Sequence, residues 1–224
     1  MKRYLPLCFF LAFQDSKGAT ILLNGNFTGS LVPWTAVGTV FNTGNSAVLS
    51  DDMATLESIF QTGMVPSEAM GFELSFDFLD SVSTTLFEGF LPDTFFATLY
   101  LGSSSFGPTL EAGTFDVALG LFDMDSNGVF NVAAGAMFGP SPKGVGWSRL
   151  SLFAENFPGL AAPGFATVAF ELHNLNGIGS DSVVAVDNVS LIMVIPEPHY
   201  ALLMLVSGLA LLRRRRDIPN STIP

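Results

Sequence analysis

The run Asp123-Met124-Asp125-Ser126-Asn127-Gly128 places side-chain oxygens at alternate positions and a glycine at the sixth. This is the pattern of the first half of a calcium-binding loop. The glycine permits the sharp turn that lets Asp123, Asp125 and Asn127 converge on a hard cation. The second half departs from the pattern, because the position where a bidentate glutamate closes such a loop is Ala134. The same residues also suit an Asn-Gly hairpin between Leu119–Phe122 and Val129–Val132.

Catalytic groupings are sparser. The only cysteine is Cys8, and the two histidines are His173 and His199. A Ser-His-Asp triad would have to use His173, and no Gly-x-Ser-x-Gly elbow accompanies it. Alternation points His173 outward beside a turn, as a solvated side chain. Two carboxylates at the right separation can serve a glycosidase, but residues 19–195 hold 17 acidic side chains, so some pair meets that condition by chance. Trp34 and Trp147 offer flat apolar surfaces for stacking on a sugar, or they belong to the core. The pattern predicts core for Trp34. Trp147 either starts a strand on the Arg149 face or belongs to the glycine-rich stretch before it.

A third pattern lies near the C-terminus. Pro196-Glu197-Pro198 precedes an apolar run, Tyr200 to Leu212, and then Arg213, Arg214, Arg215 and Arg216. A turn, a membrane-seeking segment and a positive stop describe a membrane anchor with its arginines on the cytoplasmic side. The run of 13 residues spans about 20 Å as a helix, whereas a stable span needs about 20 residues. Snorkelling arginines recover part of the mismatch. So short a span suits a segment that is cut off better than an ordinary tail anchor.

In residue order this segment resembles the PEP-CTERM sorting signal of Gram-negative bacteria. The resemblance implies recognition by an exosortase, a membrane-embedded cysteine protease-transpeptidase, near Pro196–Pro198. It also implies export across the inner membrane to the cell envelope or exterior, with transient membrane anchoring. Members of that group are associated with exopolysaccharide and biofilm. The other end agrees with export. Lys2 and Arg3, the apolar Leu5–Phe13, and the small residues Ser16 and Gly18 form a signal peptide with a cut before Ala19. The expected organisation is a signal peptide at 1–18, a β-sandwich domain at 19–194, a sorting and transmembrane segment at 195–216, and a short cytoplasmic tail at 217–224.

The domain's charge narrows its partners. Its 17 acidic residues face two basic ones, Lys143 and Arg149, a formal charge of about −15 against −11 for the whole chain. Nucleic acid binding needs clustered Lys and Arg and is not expected. Neutral polysaccharide, divalent cations and basic partners fit the charge.

The elements that must carry these residues are strands. Phe72-Glu73-Leu74-Ser75-Phe76-Asp77-Phe78 alternates strictly between apolar and polar, as a half-buried antiparallel strand does. Ser148–Leu152 alternates over a shorter length, and Ala166, Val168, Phe170 and Leu172 line one face of another strand. Thr94–Leu101, Thr114–Phe122 and Ser182–Val194 read as strands with weaker alternation. Met53–Gln61 is read as a strand too, with Gly63–Ser67 as a hairpin loop into the Phe72 strand. Turn clusters at Leu101–Ser105, Gly139–Pro142 and Asn174–Gly177 separate them. The predicted class is all-β, an antiparallel β-sandwich of jelly-roll type with a C-terminal transmembrane helix.

The opening Leu23-Asn24-Gly25-Asn26-Phe27 with Pro33-Trp34, and the ending Asp181 to Leu191, resemble galactose-binding-like, carbohydrate-binding-module jelly rolls. Such domains often hold a structural Ca²⁺ between the first segment and the last strand. The resemblance therefore implies Asp187, with Asn24 and Asn26 and more weakly Asp181, as calcium ligands. The expected function is that of an exported, non-catalytic envelope or matrix protein, with exosortase, the membrane and exopolysaccharide as partners. A secreted polysaccharide-acting hydrolase and a plain tail-anchored periplasmic protein are the alternatives.

Overall fold

The computed structural model describes residues 18–51, 56–84, 90–103, 115–159, 163–176 and 182–195. Residues 1–17 of the expected signal peptide, Asp181, and residues 196–224, which hold the Pro196–Pro198 and Arg213–Arg216 sorting residues, the apolar run and the tail, lie outside them. Among the described residues there are strands and no helix. All of them belong to one compact unit, Gly18–Ile195.

Alternation sets the inner faces. In β6 (Gly71–Ser81) the side chains of Phe72, Leu74, Phe76 and Phe78 are buried. In β12 (Phe165–His173) the buried stripe is Ala166, Val168, Phe170 and Leu172, and in β7 (Thr94–Gly102) it is Phe95, Ala97, Leu99 and Leu101. The other long strands are β5 (Leu56–Met64), β8 (Val117–Asp125), β11 (Ser148–Ala154) and β13 (Val183–Val194). Short ones are β1 (Gly18–Thr20), β2 (Thr35–Val37), β3 (Val40–Asn42), β4 (Ala47–Ser50), β9 (Gly128–Phe130) and β10 (Met137–Pro140).

One sheet runs β10-β11-β6-β13-β4-β3, with β1 also on β13; the other runs β2-β5-β12-β7-β8-β9. Setting aside the edge strands β1, β2, β3, β9 and β10 leaves eight strands. Counted along the chain, their order is first-eighth-third-sixth in one sheet and second-seventh-fourth-fifth in the other. That is the jelly-roll winding, two antiparallel sheets whose connections pass back and forth across the sandwich.

This winding corrects the expected hairpin after the Met53–Gln61 segment. β5 pairs with β12 and β2, whereas β6 pairs with β11 and β13. Residues 65–70 therefore carry the chain from one sheet to the other. Gly63 lies inside β5 rather than in a loop. A Cβ there would come within 2.5 Å of the Ile21 carbonyl oxygen, so only glycine admits that backbone.

Two β-bulges explain the weak alternation of β8 and β13. In β13 the register slips between Asp187 and Ser190 opposite β6. The buried positions change from Val184 and Val186 to Val189, Leu191 and Met193. In β8 the slip lies where Ala97 and Thr98 oppose Phe122 and Gly120. Val117 and Leu119 face the core before it, and Phe122 and Met124 after it. One extra residue flips a strand's side-chain parity.

The core is aromatic. The Phe76 ring meets Phe170 edge-on at 4.8 Å across the sandwich and stacks at 6.1 Å on Phe122. Trp34 closes one side, 5.1 Å from Phe27, and its indole N–H donates to the Leu23 carbonyl at 3.0 Å. At one end the buried Asp93 carboxylate accepts from the Leu175 and Asn176 amides, the Asn176 side chain and the Ser182 hydroxyl, at 2.7–3.0 Å. It ties two loops to the start of β7.

Truncating Phe76 to Ala leaves a cavity between the sheets and should cost about 3–5 kcal/mol in denaturant unfolding. Phe153→Ala, at a ring 54% exposed on β11, should change stability by less than about 1 kcal/mol. Equal losses at the two positions would contradict the assignment of faces.

Candidate functional site

The oxygen-rich run after Phe122 forms a hairpin. Asp123 and Asp125 lie in β8, and Asp125 pairs with Gly128, so the two-residue turn is Ser126-Asn127. The turn comes one residue earlier than the Asn-Gly turn expected. Its positive φ falls on Gly128, at 116°. Asp125 accepts from the Asn127 amide at 2.6 Å and from its side chain at 3.3 Å, while Asp123 accepts from Asn131 at 2.8 Å.

The opening segment does lie along the closing strand, since the Val189 amide donates to the Gly25 carbonyl at 2.9 Å. The side chains turn to different partners, however. Asn24 donates to the Ser30 and Val32 carbonyls at 2.8 Å each, and Asn26 accepts from the Thr28 amide at 3.4 Å. Asp187 is ion-paired with Lys143 and accepts from the Asn188 amide at 2.7 Å. Among the described residues no cluster of three His, Cys, Asp or Glu side chains is arranged to hold a metal.

The two outer faces differ in chemistry. On the sheet containing β6, a row of charges crosses three strands, with Arg149, Asp77 and Asp187 as successive cross-strand partners. Arg149 reaches Asp77 at 3.4 Å and Ser75 at 3.0 Å, and Asn188 donates to Asp77 at 2.7 Å. Trp147 belongs to the loop before β11, with the Lys143 ammonium 4.2 Å from its ring centre. Both basic residues of the domain are engaged on this side. An open depression of about 150 Å³ at the edge is lined by Met137, Phe138, Gly139, Pro140, Arg149 and Ser151 and contains no carboxylate.

The opposite outer face, on β5, β12 and β7, is a grid of aromatic and hydroxyl side chains. Along β12, Thr167, Ala169, Glu171 and His173 alternate with the core stripe. Their partners on β7 are Tyr100, Thr98, Phe96 and Thr94, and on β5 Thr62, Phe60, Ser58 and Leu56. Thr62 and Thr167 share a hydrogen bond of 2.7 Å. Tyr100 packs against Phe115 with ring centres 4.7 Å apart, and its hydroxyl donates to Glu171 at 3.3 Å. To reach Glu171 from a position opposite Thr167, the phenol must lie along the sheet past the small Ala169–Thr98 pair. Phe96 meets His173 edge-on at 4.9 Å.

His173 is therefore half-buried against a ring rather than solvated, and burial pushes its pKa below the usual value. Burial also raises the Glu171 carboxyl, against a lowering hydrogen bond from Tyr100. Burial, and then the nearby Glu171 carboxylate, push the Tyr100 phenol from 10.0 to about 12. Alternation points His173 to this face, and Glu171 shares its parity. Tyr100 and Phe96 carried no signal in the sequence, because the Thr94–Leu101 run shows apolar residues at both parities. Trp34 is core, as expected.

No family model matches the chain, and no curated protein does either. Among solved structures, the enzymatically active domain of bacteriophage CBA120 tailspike protein 4 shares 16% identity at a TM-score of 0.47. The match covers 78% of this chain and 21% of that one, so the chain spans about a fifth of the tailspike structure. The xylan-binding domain from Paenibacillus barcinonensis shares 12% at a TM-score of 0.40, covering 82% of this chain and 100% of that one. The family 11 carbohydrate-binding module from Clostridium thermocellum, solved with a β-1,3-1,4-mixed-linked tetrasaccharide, shares 13% at 0.40 with the same coverage.

The raised pKa values have a sign. A phenol that keeps its proton longer when folded adds stability below pH 10, and that stability is lost as pH rises from 10 through about 12. The same reasoning for Glu171 gives stability present below its ordinary value of 4.5 and lost as pH rises through the raised one. Ultraviolet titration of the chain's three tyrosines should show one phenol ionising near pH 12, and Glu171→Gln should move that step to lower pH. An unmoved step would mean that Tyr100 and Glu171 do not interact.

Proposed function

We propose that the domain is an exported, non-catalytic glycan-binding module, and that the face formed by β5, β12 and β7 holds a neutral polysaccharide. The observation that carries this reading is the grid around Glu171. Rings at Phe96, Tyr100 and Phe115 can pack against the apolar face of a pyranose. Thr62, Thr98, Tyr100 and Glu171, which are all part-exposed, supply the few placed polar groups that orient hydroxyls. Among the described residues no Lys or Arg reaches this face, so an acidic polymer finds no counter-charge from them and meets the field of a strongly acidic domain.

Delivery follows from the ends of the chain. In this reading the signal peptide exports the domain, and an exosortase processes it at Pro196-Glu197-Pro198 after transient membrane anchoring. The product acts in the cell envelope or the exopolysaccharide matrix. A hydrolase on the same face would use Glu171, with its raised pKa, as the acid. The side chains directly across from Glu171 are Ser58 and Phe96, and the next carboxylate in that row is Asp123 on β8, across from Phe96 and already accepting from Asn131.

Affinity electrophoresis in gels containing neutral β-glucan, xylan or galactan should retard the protein. Tyr100→Ala should weaken binding about tenfold, which corresponds to about 1.4 kcal/mol, and Phe153→Ala on the other sheet should not. Binding that survives Tyr100→Ala would exclude this face. Release of reducing sugar that Glu171→Gln abolishes would favour the hydrolase.

Sorting is testable separately in the native host. Glu197→Ala should leave full-length protein in the inner membrane, whereas normal maturation of the variant, read by intact mass, would overturn the sorting assignment.

A further inference from the structure

The calcium site implied by the resemblance to carbohydrate-binding jelly rolls does not fit the residues present. Calcium takes about 6–8 oxygen ligands. Asn24 spends its amide on two carbonyls and Asn26 accepts from its own loop. Asp187, only 3% exposed, already faces a cation. That cation is the Lys143 ammonium, which contacts the Asp187 carboxylate, donates to the Asn45 carbonyl at 3.1 Å and lies 4.2 Å from the centre of the Trp147 ring.

We propose that the Lys143 ammonium takes the place of a structural metal ion in this jelly roll, closing the last strand without calcium. Its partners are those a hard cation would choose, a carboxylate oxygen and a carbonyl oxygen, with an aromatic face completing the shell. It joins three pieces of chain: the loop before β11, the turn between β3 and β4, and the closing strand at its bulge. The need for a cation here is electrostatic. Asp187 lies directly across from Asp77 on the neighbouring strand, and both are buried. Like charges facing across a sheet are destabilising. Arg149 neutralises Asp77 from the next strand, and the bulge leaves Asp187 to be met from the loop. Two of these carboxylates thus consume both cations of a domain of charge about −15.

The test is thermal unfolding of the full-length protein in detergent, with excess EGTA and then with calcium. The wild type should melt at one temperature in both. Lys143→Met keeps the stem and removes the charge, leaving the Asp187 carboxylate buried without a counter-charge. It should lower Tm by on the order of 10 °C. Adding Asp187→Asn to that variant should recover most of the loss, and the double variant gives the reading if the single one does not fold. A wild-type Tm that falls in EGTA and returns with calcium would overturn the proposal. So would a Lys143→Met protein that melts like the wild type, or a double variant that recovers nothing.

Discussion

Contact between two inner faces, made chiefly by aromatic rings, is the constraint from which the rest of this structure follows. Each sheet is apolar on one side only, so neither can stand alone in water. Phe76 from one sheet meets Phe122 and Phe170 from the other. Burying Phe-sized side chains is the dominant favourable term in such a domain. It fixes which parity of each strand points inward, and hence what is left for the outer faces. Tyr100 and Glu171 lie on the outer face because Leu99 and Phe170 are inside.

The outer faces then divide the work by charge. Carboxylates opposed across β6 and β13 require cations, and the domain has only Lys143 and Arg149 to supply them. Once these are engaged on one sheet, the other has none among the described residues. Across β5, β12 and β7 its outward polar groups are hydroxyls, the His173 imidazole and the Glu171 carboxyl, whose pKa is raised by burial, with Asp123 beyond them on β8. On the proposed reading, such a surface suits uncharged hydroxyl-rich polymers better than phosphates or uronic acids. The asymmetry comes from composition meeting topology: two basic residues among 17 acids, both placed within reach of the strand pair that needs them.

The bulges connect fold and site. In β13 the extra residue turns Asn188 into the left-handed region, at φ 49°, and aims its amide at Asp77. It also returns the strand's later half to the core in the opposite parity, so that Val189 packs inside and takes the Gly25 carbonyl. The opening segment can therefore run along the closing strand while its asparagine side chains point elsewhere. The positions that resembled calcium ligands lie on adjoining pieces of chain, but their side chains do not converge.

What the sequence by itself determined is whatever depends on local period and local charge. Strict alternation placed Phe72 to Phe78 and Ala166 to Leu172 on core faces, because a strand's side chains alternate with period two whatever it pairs with. The acidic excess and the paucity of cations were countable. Only the tertiary structure decided which strand neighbours which. The step from β5 to β6 reads as a hairpin because a short turn-like stretch does not say whether the chain folds back or crosses the sandwich. Bulges were invisible for a related reason, since an inserted residue erases alternation without leaving a pattern of its own. The pairings of Lys143 with Asp187 and Tyr100 with Glu171 span 44 and 71 residues. Contacts at such separations exist only once the sheets are assembled, because nothing local brings the two chains of atoms together.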